Sequence, residues 1–443
     1  MSALDHLPVA SDHRVAVRMT DEARRWIRAG HPWLFEDSIT STSRDGQPGD
    51  LAIVFDQKRR FQAIGLYDPG SPIRVKIIHR GEPVQITPEW WEGRLRQAFD
   101  RRRTLLDSSD TTGVRCINGE NDGLPGLVVD LYSDVAVLKL YTPAWLPHLR
   151  TIVPMIEAML QARTVVLRLS RRSQREVPAG TTDGMALSGT LPNRPVMFLE
   201  NGLNVEADVV AGQKTGYFLD QRDNRRLVGA ACRGKRVLDV FSSGGGFSLA
   251  AAAGGATSVL SVDLSGPALD AARRNLGHNR DLEGVRRCRH ETRRGDAFEI
   301  MAELASAGER FDVVVVDPPS FAQNEASVPG ALRAYERLAD LAVRLVEDGG
   351  TLFQASCSSR VDAPAFFEAI GAGARRAGVE LDELRRTGHP DDHVIGFQYG
   401  EYLKALFARV SHPGRANRPA LSRPDTPARS STNASRAGRR PRR

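Results

Sequence analysis

The chain has 443 residues, enough for about three domains, and its 41% hydrophobic and 26% charged content excludes wholesale disorder. Its four cysteines, Cys116, Cys232, Cys288 and Cys357, show no CxxC spacing, which argues against a zinc site or disulfide framework and fits a reducing, cytoplasmic setting. The net charge of +7 is concentrated in residues 411–443, which hold nine Arg and one Asp, so nucleic-acid contact elsewhere must come from local patches.

No secretory signal is read at the start. Residues 12–80 alternate short apolar pieces, "RVAVRM", "DLAIVFD", "FQAIGLY" and "IRVKII", with Gly, Pro and Asp turns, as in a small β-barrel. Among them "DEARRWIRAG" predicts a short basic helix ending at Gly30. Residues 88–106 predict one amphipathic connecting helix with Pro88 near its start. A small α+β unit completes residues 81–199: a hairpin in "GLVVDLYSDVAVLKLY", a helix over 145–161, the strand "TVVLRLS" and a polar loop over 171–194.

From residue 200 to 410 strands alternate with helices, the mark of a parallel α/β sheet. The strands are "RVLDVF", "SVLSVD", "FDVVVVD", "TLFQAS" and finally "EYLKALFARV". The uncharged stretch 240–262 is long enough for a membrane span, but its glycines divide it into strand, loop, helix and strand. Residues 411–443 lack periodicity and are expected to be disordered.

"VLDVFSSGGGFS" puts Asp239 near the end of a buried strand, followed by a glycine loop and a helix. Ligands of open α/β sheets bind at such carboxyl ends. Twenty-four residues on, Asp263 ends the second strand, where an acid can hold two ribose hydroxyls. Asp296 falls in the loop after the next strand, where it can meet an adenine amino group. Each acid alone reads equally well as a helix cap or a solvated turn. NAD is disfavoured because Leu249 occupies the third glycine position of GxGxxG. Lys214-Thr215 invites a phosphate-loop reading, but the glycine spacing of an NTPase is missing.

"FDVVVVDPPSF" completes a pattern: glycine loop, acid after the second strand, Asp317-Pro318-Pro319 after the fourth. The chain resembles a class I S-adenosylmethionine (SAM) methyltransferase. More narrowly, "RRWIRAGHPWLFEDSI", "INGENDGLPGLVVD", "GQKTGYFLDQRDNR", "DPPSF" and "SCS" resemble the bacterial 23S ribosomal RNA cytosine-5 methyltransferases, across residues 12–410. That resemblance implies a PUA RNA-binding domain over 12–80, a central α+β domain over 81–199 and a Rossmann-like catalytic domain over 200–410. Gly244, often Thr in the family, and Ser320, often Lys, depart from its pattern.

The resemblance also implies site residues. The loop with Asp239, Phe241, Ser242, Gly245 and Gly246 should cradle the methionine portion of SAM, Asp263 the ribose and Asp296 the adenine edge. Segment 213–222, with Thr215, Gly216 and Arg222, should close over the cofactor. Cys357 is the expected nucleophile and Asp317 the acid beside the transferred methyl; Cys116, Cys232 and Cys288 read as structural. No metal and no membrane contact are expected. The partner should be 23S ribosomal RNA or a large-subunit assembly intermediate, with room for a homodimer.

Arg24, Arg25, Arg28, His31 and Trp33 could form a phosphate and stacking surface, or a solvated helix with Trp33 in the barrel core. Arg101, Arg102 and Arg103 read as a solvated helix face. Two other functions compete. An amino-group methyltransferase uses an aromatic directly after the two prolines, where this chain has Ser320 and only then Phe321. A non-catalytic RNA-binding assembly protein would have no use for Asp239, Asp263, Asp317 and Cys357.

Overall fold

A computed structural model describes residues 3–413, so the tail reading over 411–443 falls outside the described residues from 414 onward. In the first sheet β1 (Arg14–Met19) buries every second residue, Val15, Val17 and Met19, against Ile27 of α1 (Asp21–Arg28). Thr20 caps α1 by accepting a hydrogen bond from Ala23 N, and Gly30, with φ +98°, turns the chain beyond it. β2 (Trp33–Phe35), β3 (Ile39–Thr42), β4 (Leu51–Phe55), β5 (Phe61–Tyr67) and β6 (Ile73–Arg80) complete six strands in the order β2-β6-β5-β4-β1-β3.

The connecting helix does not run unbroken. α2 (Pro88–Asp100) is capped by Thr87 and buries Trp91, Leu95 and Phe99, and the chain then leaves the helix at Arg102 before α3 (Arg103–Leu106). Arg102 corrects the solvated-face reading: it is 1% exposed and grips Asp122 through two bonds of 2.7 and 2.8 Å. A guanidinium out of water requires such a partner. Arg103 is exposed and pairs with Asp100.

β7 (Gly113–Asn118), β8 (Leu127–Tyr132) and β9 (Val135–Leu140) form an antiparallel run, and α4 (Leu149–Leu160) crosses over to the parallel β10 (Thr164–Leu169). The helix expected from 145 begins instead as a 3-10 turn, Pro143–His148, where Pro147 has no amide hydrogen to donate. The loop expected over 171–194 supplies the short β11 (Ala186–Ser188), the edge of this sheet. A hairpin of β12 (Val196–Glu200) and β13 (Leu203–Ala207) follows.

After α5 (Arg222–Ala230) the chain alternates: β14 (Arg236–Val240), α6 (Gly246–Ala253), β15 (Ser258–Asp263), α7 (Gly266–His278), α8 (Glu283–Arg287), β16 (Arg289–Arg294), α9 (Ala297–Ser306) and β17 (Phe311–Val316). It continues through α10 (Val328–Leu345), β18 (Val346–Ser356), α11 (Ala363–Arg376), β19 (Glu380–Thr387) and β20 (Lys404–Ser411). The sheet order is β16-β15-β14-β17-β18-β20-β19, parallel except where β20 runs against both its neighbours. Alternate residues of the central strands feed two cores, Val314 and Leu352 into one and Val313 and Phe353 into the other. Burial on both faces explains their nearly continuous apolar runs. The strand order reverses at β14, so the crevice beyond β14 and β17 is where this architecture binds ligands.

Candidate active site

A cavity of about 650 Å³ opens at that crevice. Its wall includes Phe241, Ser242, Gly246, Asp263, Asp296, Asp317 and Cys357, which the sequence singled out and which follow or end five separate strands. Asp239, Gly245, Thr215, Gly216 and Arg222 are not on the wall.

The loop from β14 to α6 is bent by three residues in the left-handed region: Phe241 at φ 63°, Ser243 at 48° and Gly245 at 74°. Two are not glycine, a strain that persists only where the surroundings enforce it. A Cβ on Gly245 would lie 2.5 Å from Ala272 Cβ, and one on Gly246 would lie 2.4 Å from Tyr217 Oη. Gly244, by contrast, has nothing nearer than Asn275 Nδ2 at 3.7 Å, so this position has room for a side chain.

Below the loop Asp239 is 1% exposed; Ser248 Oγ donates to its Oδ2 at 2.6 Å, while its Oδ1 has no partner. Burial pushes this carboxyl up to about 7. Ser242 Oγ and Tyr217 Oη are also buried without partners. Buried polar atoms normally find partners. Three such atoms around one glycine loop fit a ligand with polar ends such as the amino-acid portion of SAM. Asp263 accepts from Ser243 N and Ser265 N, both at 2.8 Å, so it braces the loop as well as facing the cavity. Asp296 is the N-cap of α9, accepting from Phe298 N and Glu299 N through one oxygen. Its cap role and its place on the wall coexist.

Across the cavity, Cys357 follows β18 and its thiol lies 4.0 Å from Pro318 O, which brings the Asp317-Pro318-Pro319 turn and the thiol together. Burial pushes the thiol up to about 11, against the pull of Lys214. Burial also raises the Asp317 carboxyl to about 7, helped by Asp220 and opposed by Arg225 and by a 2.9 Å hydrogen bond from Gln221 Nε2. Lys214 Nζ lies 3.1 Å from Asp220 Oδ2 and 4.6 Å from the Phe218 ring centre, and Tyr402 Oη donates to the same Asp220 oxygen at 2.9 Å. Burial pulls the Lys214 ammonium down, but Asp220 and Cys357 outweigh it and hold it above its ordinary value. Burial alone would raise Asp220; Lys214, His393 and Arg115 overcome it and keep the carboxyl well below its usual range.

Lys214, Asp220 and Gln221 therefore line the site, and Tyr402 braces Asp220; the sequence reading weighed Lys214 only as part of a phosphate loop and passed over the others. The first three lie within the segment 213–222 that it did mark. Thr215 and Arg222, its chosen candidates there, have other work: Thr215 Oγ1 donates to Asp130 at 2.5 Å, and Arg222 pairs with Asp392 at 2.9 and 3.1 Å. Gly216 has φ +130°, and a Cβ there would lie 3.0 Å from Asp208 O, so the position is kept for glycine. These three hold the segment in place while its neighbours face the cavity. Buried Lys404 donates to the carbonyls of Ser358, Val361 and Tyr402, fixing the turn after Cys357.

At the first sheet, Arg25 and Arg28 are exposed, and Arg24 is half-buried against Asp21. Arg28 Nε donates to Gln62, and His31 lies 5.5 Å from the Trp33 ring. Trp33 is not in the core of the sheet: partly exposed, it donates through Nε1 to Glu120 at 3.0 Å.

Two family descriptions match this chain, a PUA-like domain over residues 17–80 and an S-adenosylmethionine-dependent methyltransferase over residues 145–392. The chain belongs to the SAM-dependent methyltransferases, as a member with an N-terminal PUA-like domain. It is similar to a ribosomal RNA large subunit methyltransferase of Deinococcus radiodurans, with 45% identity over 91% of this chain and 99% of that protein. It is 34% identical to the ribosomal RNA large subunit methyltransferase I of Pseudoalteromonas translucida over 87% of this chain and 96% of the other. A solved Streptococcus mutans chain, described as a candidate SAM-dependent methyltransferase, superposes with a TM-score of 0.75 over 89% of this chain and 99% of its own; at 21% identity that likeness speaks for the fold alone. Among the described residues, no helix is long and apolar enough to cross a membrane.

Proposed function

We propose that this protein is a cytoplasmic enzyme that methylates carbon 5 of a cytosine in large-subunit ribosomal RNA through a covalent cysteine adduct. The observation that carries the reading is the meeting of Cys357, Asp317 and Lys214 on one cavity wall, next to a glycine loop with unpartnered polar atoms. The names of the similar proteins support the RNA class.

Bound SAM supplies the electrophilic methyl group. Asp239 and the loop through Gly246 receive its amino-acid end, Asp263 its ribose and Asp296 its adenine edge. The difficulty lies with the base, because an aromatic pyrimidine carbon is a weak nucleophile. The Cys357 thiolate adds to carbon 6, and the ring electrons displaced toward nitrogen 3 are met by the proton of Asp317. Lys214 stabilises the thiolate before attack. Carbon 5, now enamine-like, takes the methyl. A general base then removes the carbon 5 proton, the returning electron pair expels the thiolate, and the nitrogen 3 proton goes back to Asp317, which restores the neutral base. Burial suits Asp317 to this task, since a carboxyl raised to about 7 keeps a proton to donate near neutral pH.

Phe321 bears on the amino-group alternative. The aromatic that such an enzyme stacks on its base is here off the cavity wall and packs 5.2 Å from Tyr335. Arg24, Arg25, Arg28, His31 and Trp33 are the proposed RNA face of the PUA-like sheet. Bisulfite mapping of 23S ribosomal RNA, with and without the active protein, tests the reading. One cytosine protected only when the protein is present supports it, and an unchanged map refutes it.

A further inference from the structure

A second cavity, of about 440 Å³, lies where four parts of the chain meet: the PUA-like sheet, α2, the turn after β7 and the loop 394–397. Three arginines line it, Arg80 from the end of β6, Arg94 from α2 and Arg101 just beyond α2. Among the described residues, Arg80 and Arg94 make no ion pair, and the Nε of each is buried without a hydrogen-bond partner. Arg80 Nη2 is held by the carbonyls of Gly30 and His31 at 2.9 and 2.7 Å. Arg94 Nη2 donates to Asp122 O at 3.2 Å, and its Nη1 to Gln97. Arg101 reaches Asp122 Oδ1 at 3.1 Å, but buried Arg102 already engages both oxygens of that carboxylate. Glu120, the other acid on the wall, accepts from Trp33. The cations are not balanced from within, and burial with mutual repulsion pulls Arg80 and Arg94 below their ordinary values.

An aromatic cluster adjoins the cavity through Phe397. Phe397, on the cavity wall, lies 5.8 Å from Trp33, and His31 lies 6.2 Å from Trp26, 6.0 Å from Phe35 and 6.3 Å from Tyr399. Trp26, Phe35 and Tyr399 are 48%, 39% and 53% exposed. Guanidinium groups beside exposed rings are the two halves of single-stranded RNA recognition, phosphate pairing and base stacking.

We propose that this cleft binds a backbone phosphodiester of the RNA substrate, gripped by Arg80, Arg94 and Arg101. The proposal rests on the ribosomal-RNA reading and deepens it: the RNA is held by the PUA-like sheet and the C-terminal loop together, and so is registered relative to the methyl-transfer cavity. Pre-placed guanidinium forks suit a phosphate geometrically.

The test compares wild type with Arg94→Gln and with the more exposed Arg101→Gln, using a 23S ribosomal RNA fragment that wild type methylates. Binding is followed by fluorescence anisotropy at several salt concentrations, alongside SAM affinity and kcat at saturating RNA. Each variant should weaken RNA binding by about 10-fold. Each should also flatten the slope of log affinity against log salt by about 0.7 for one lost single-strand phosphate contact. SAM affinity, thermal melting and kcat should stay at wild-type values, and Arg94→Lys should recover part of the loss. Unchanged affinity and slope in both variants, with wild type still methylating the RNA, would overturn the cleft and leave the functional reading standing. Inorganic phosphate is the second probe. If it raises the melting temperature of wild type but not of the variants, while RNA affinity is equal in all three, the cleft serves a small anion and the proposal falls. A wild type that neither binds nor methylates ribosomal RNA would remove both readings.

Discussion

Gln221 Nε2 donates a 2.9 Å hydrogen bond to Asp317 Oδ1, tying the segment before α5 to the turn after β17. The bond favours the charged carboxylate, so it opposes the burial that raises Asp317 to about 7. Rate should report this balance. The working state needs Asp317 protonated and Cys357 ionised, with the thiol at about 11. The population of that state rises about tenfold per pH unit below pH 7 and is flat above it until the thiol ionises. A pH profile of kcat/KM should therefore bend near 7. Asp317→Asn, which has no proton to lose, should show a rise that continues past 7, at lower absolute rate. A bend in the same place in both proteins would remove Asp317 as its source.

Stability carries the same signature. Asp239 and Asp317 are both raised to about 7 in the folded protein, from unfolded values near 3.8. The folded state therefore holds protons that the unfolded chain has lost, and this stabilisation, complete below pH 4, disappears as pH rises through 7. Asp239→Asn should look increasingly stable relative to wild type between pH 4 and 7, gaining on the order of 1–3 kcal/mol by pH 8. Urea denaturation without cofactor at pH 5 and pH 8 measures it. A gap that does not grow with pH would mean that Asp239 is charged throughout.

The glycine loop separates two neighbouring positions. Gly245→Ala places a Cβ 2.5 Å from Ala272 Cβ at φ 74°, whereas Gly244→Ala meets nothing nearer than 3.7 Å. The first should weaken SAM binding about 10-fold or more, and the second should leave it within about 2-fold. Calorimetric titration of both variants decides whether loop geometry sets affinity. Equal losses would show that it does not.

Asp263→Ala removes an acceptor of two backbone bonds as well as the proposed ribose contact. SAM affinity should fall by roughly 10- to 150-fold. Unchanged affinity would leave Asp263 with the bracing role alone.

Arg102 supports the frame rather than the chemistry. It joins Asp122, the carbonyls of Ala98 and Arg115, and Asp392 O in the C-terminal loop. Arg102→Met would leave Asp122 buried with only Arg101 for charge, and should cost about 3–5 kcal/mol in denaturant unfolding. A loss under about 1 kcal/mol would mean that water or Arg101 replaces the bond.

The catalytic sheet was legible where strands are buried on both faces, because apolar runs such as "FDVVVVD" leave little choice. Its edges were not. Arg289–Arg294 and Glu380–Thr387 lie at the two ends of the sheet, half in water, and carry hardly any apolar residues. The acids and the thiol could be picked out because chain order places them at successive strand ends. Lys214 and Asp220 could not, since their partners Cys357 and Tyr402 are more than a hundred residues away and nothing local distinguishes them from a solvated ion pair. Arg222 misled for the converse reason. A basic residue beside a cofactor segment reads as a ligand until Asp392, 170 positions on, is found paired with it.

The central claim is that Cys357 bonds to carbon 6 of cytosine, and trapping tests it most directly. Wild-type protein is incubated with SAM and target RNA containing 5-fluorocytosine, whose fluorine blocks the final deprotonation, and the mixture is analysed by denaturing gel and peptide mass spectrometry. A denaturation-resistant protein–RNA adduct should form, with the nucleotide mass on the peptide that contains Cys357, and Cys357→Ala should form none while binding SAM normally. An adduct on another residue, or full methyl transfer by Cys357→Ala, would contradict the mechanism.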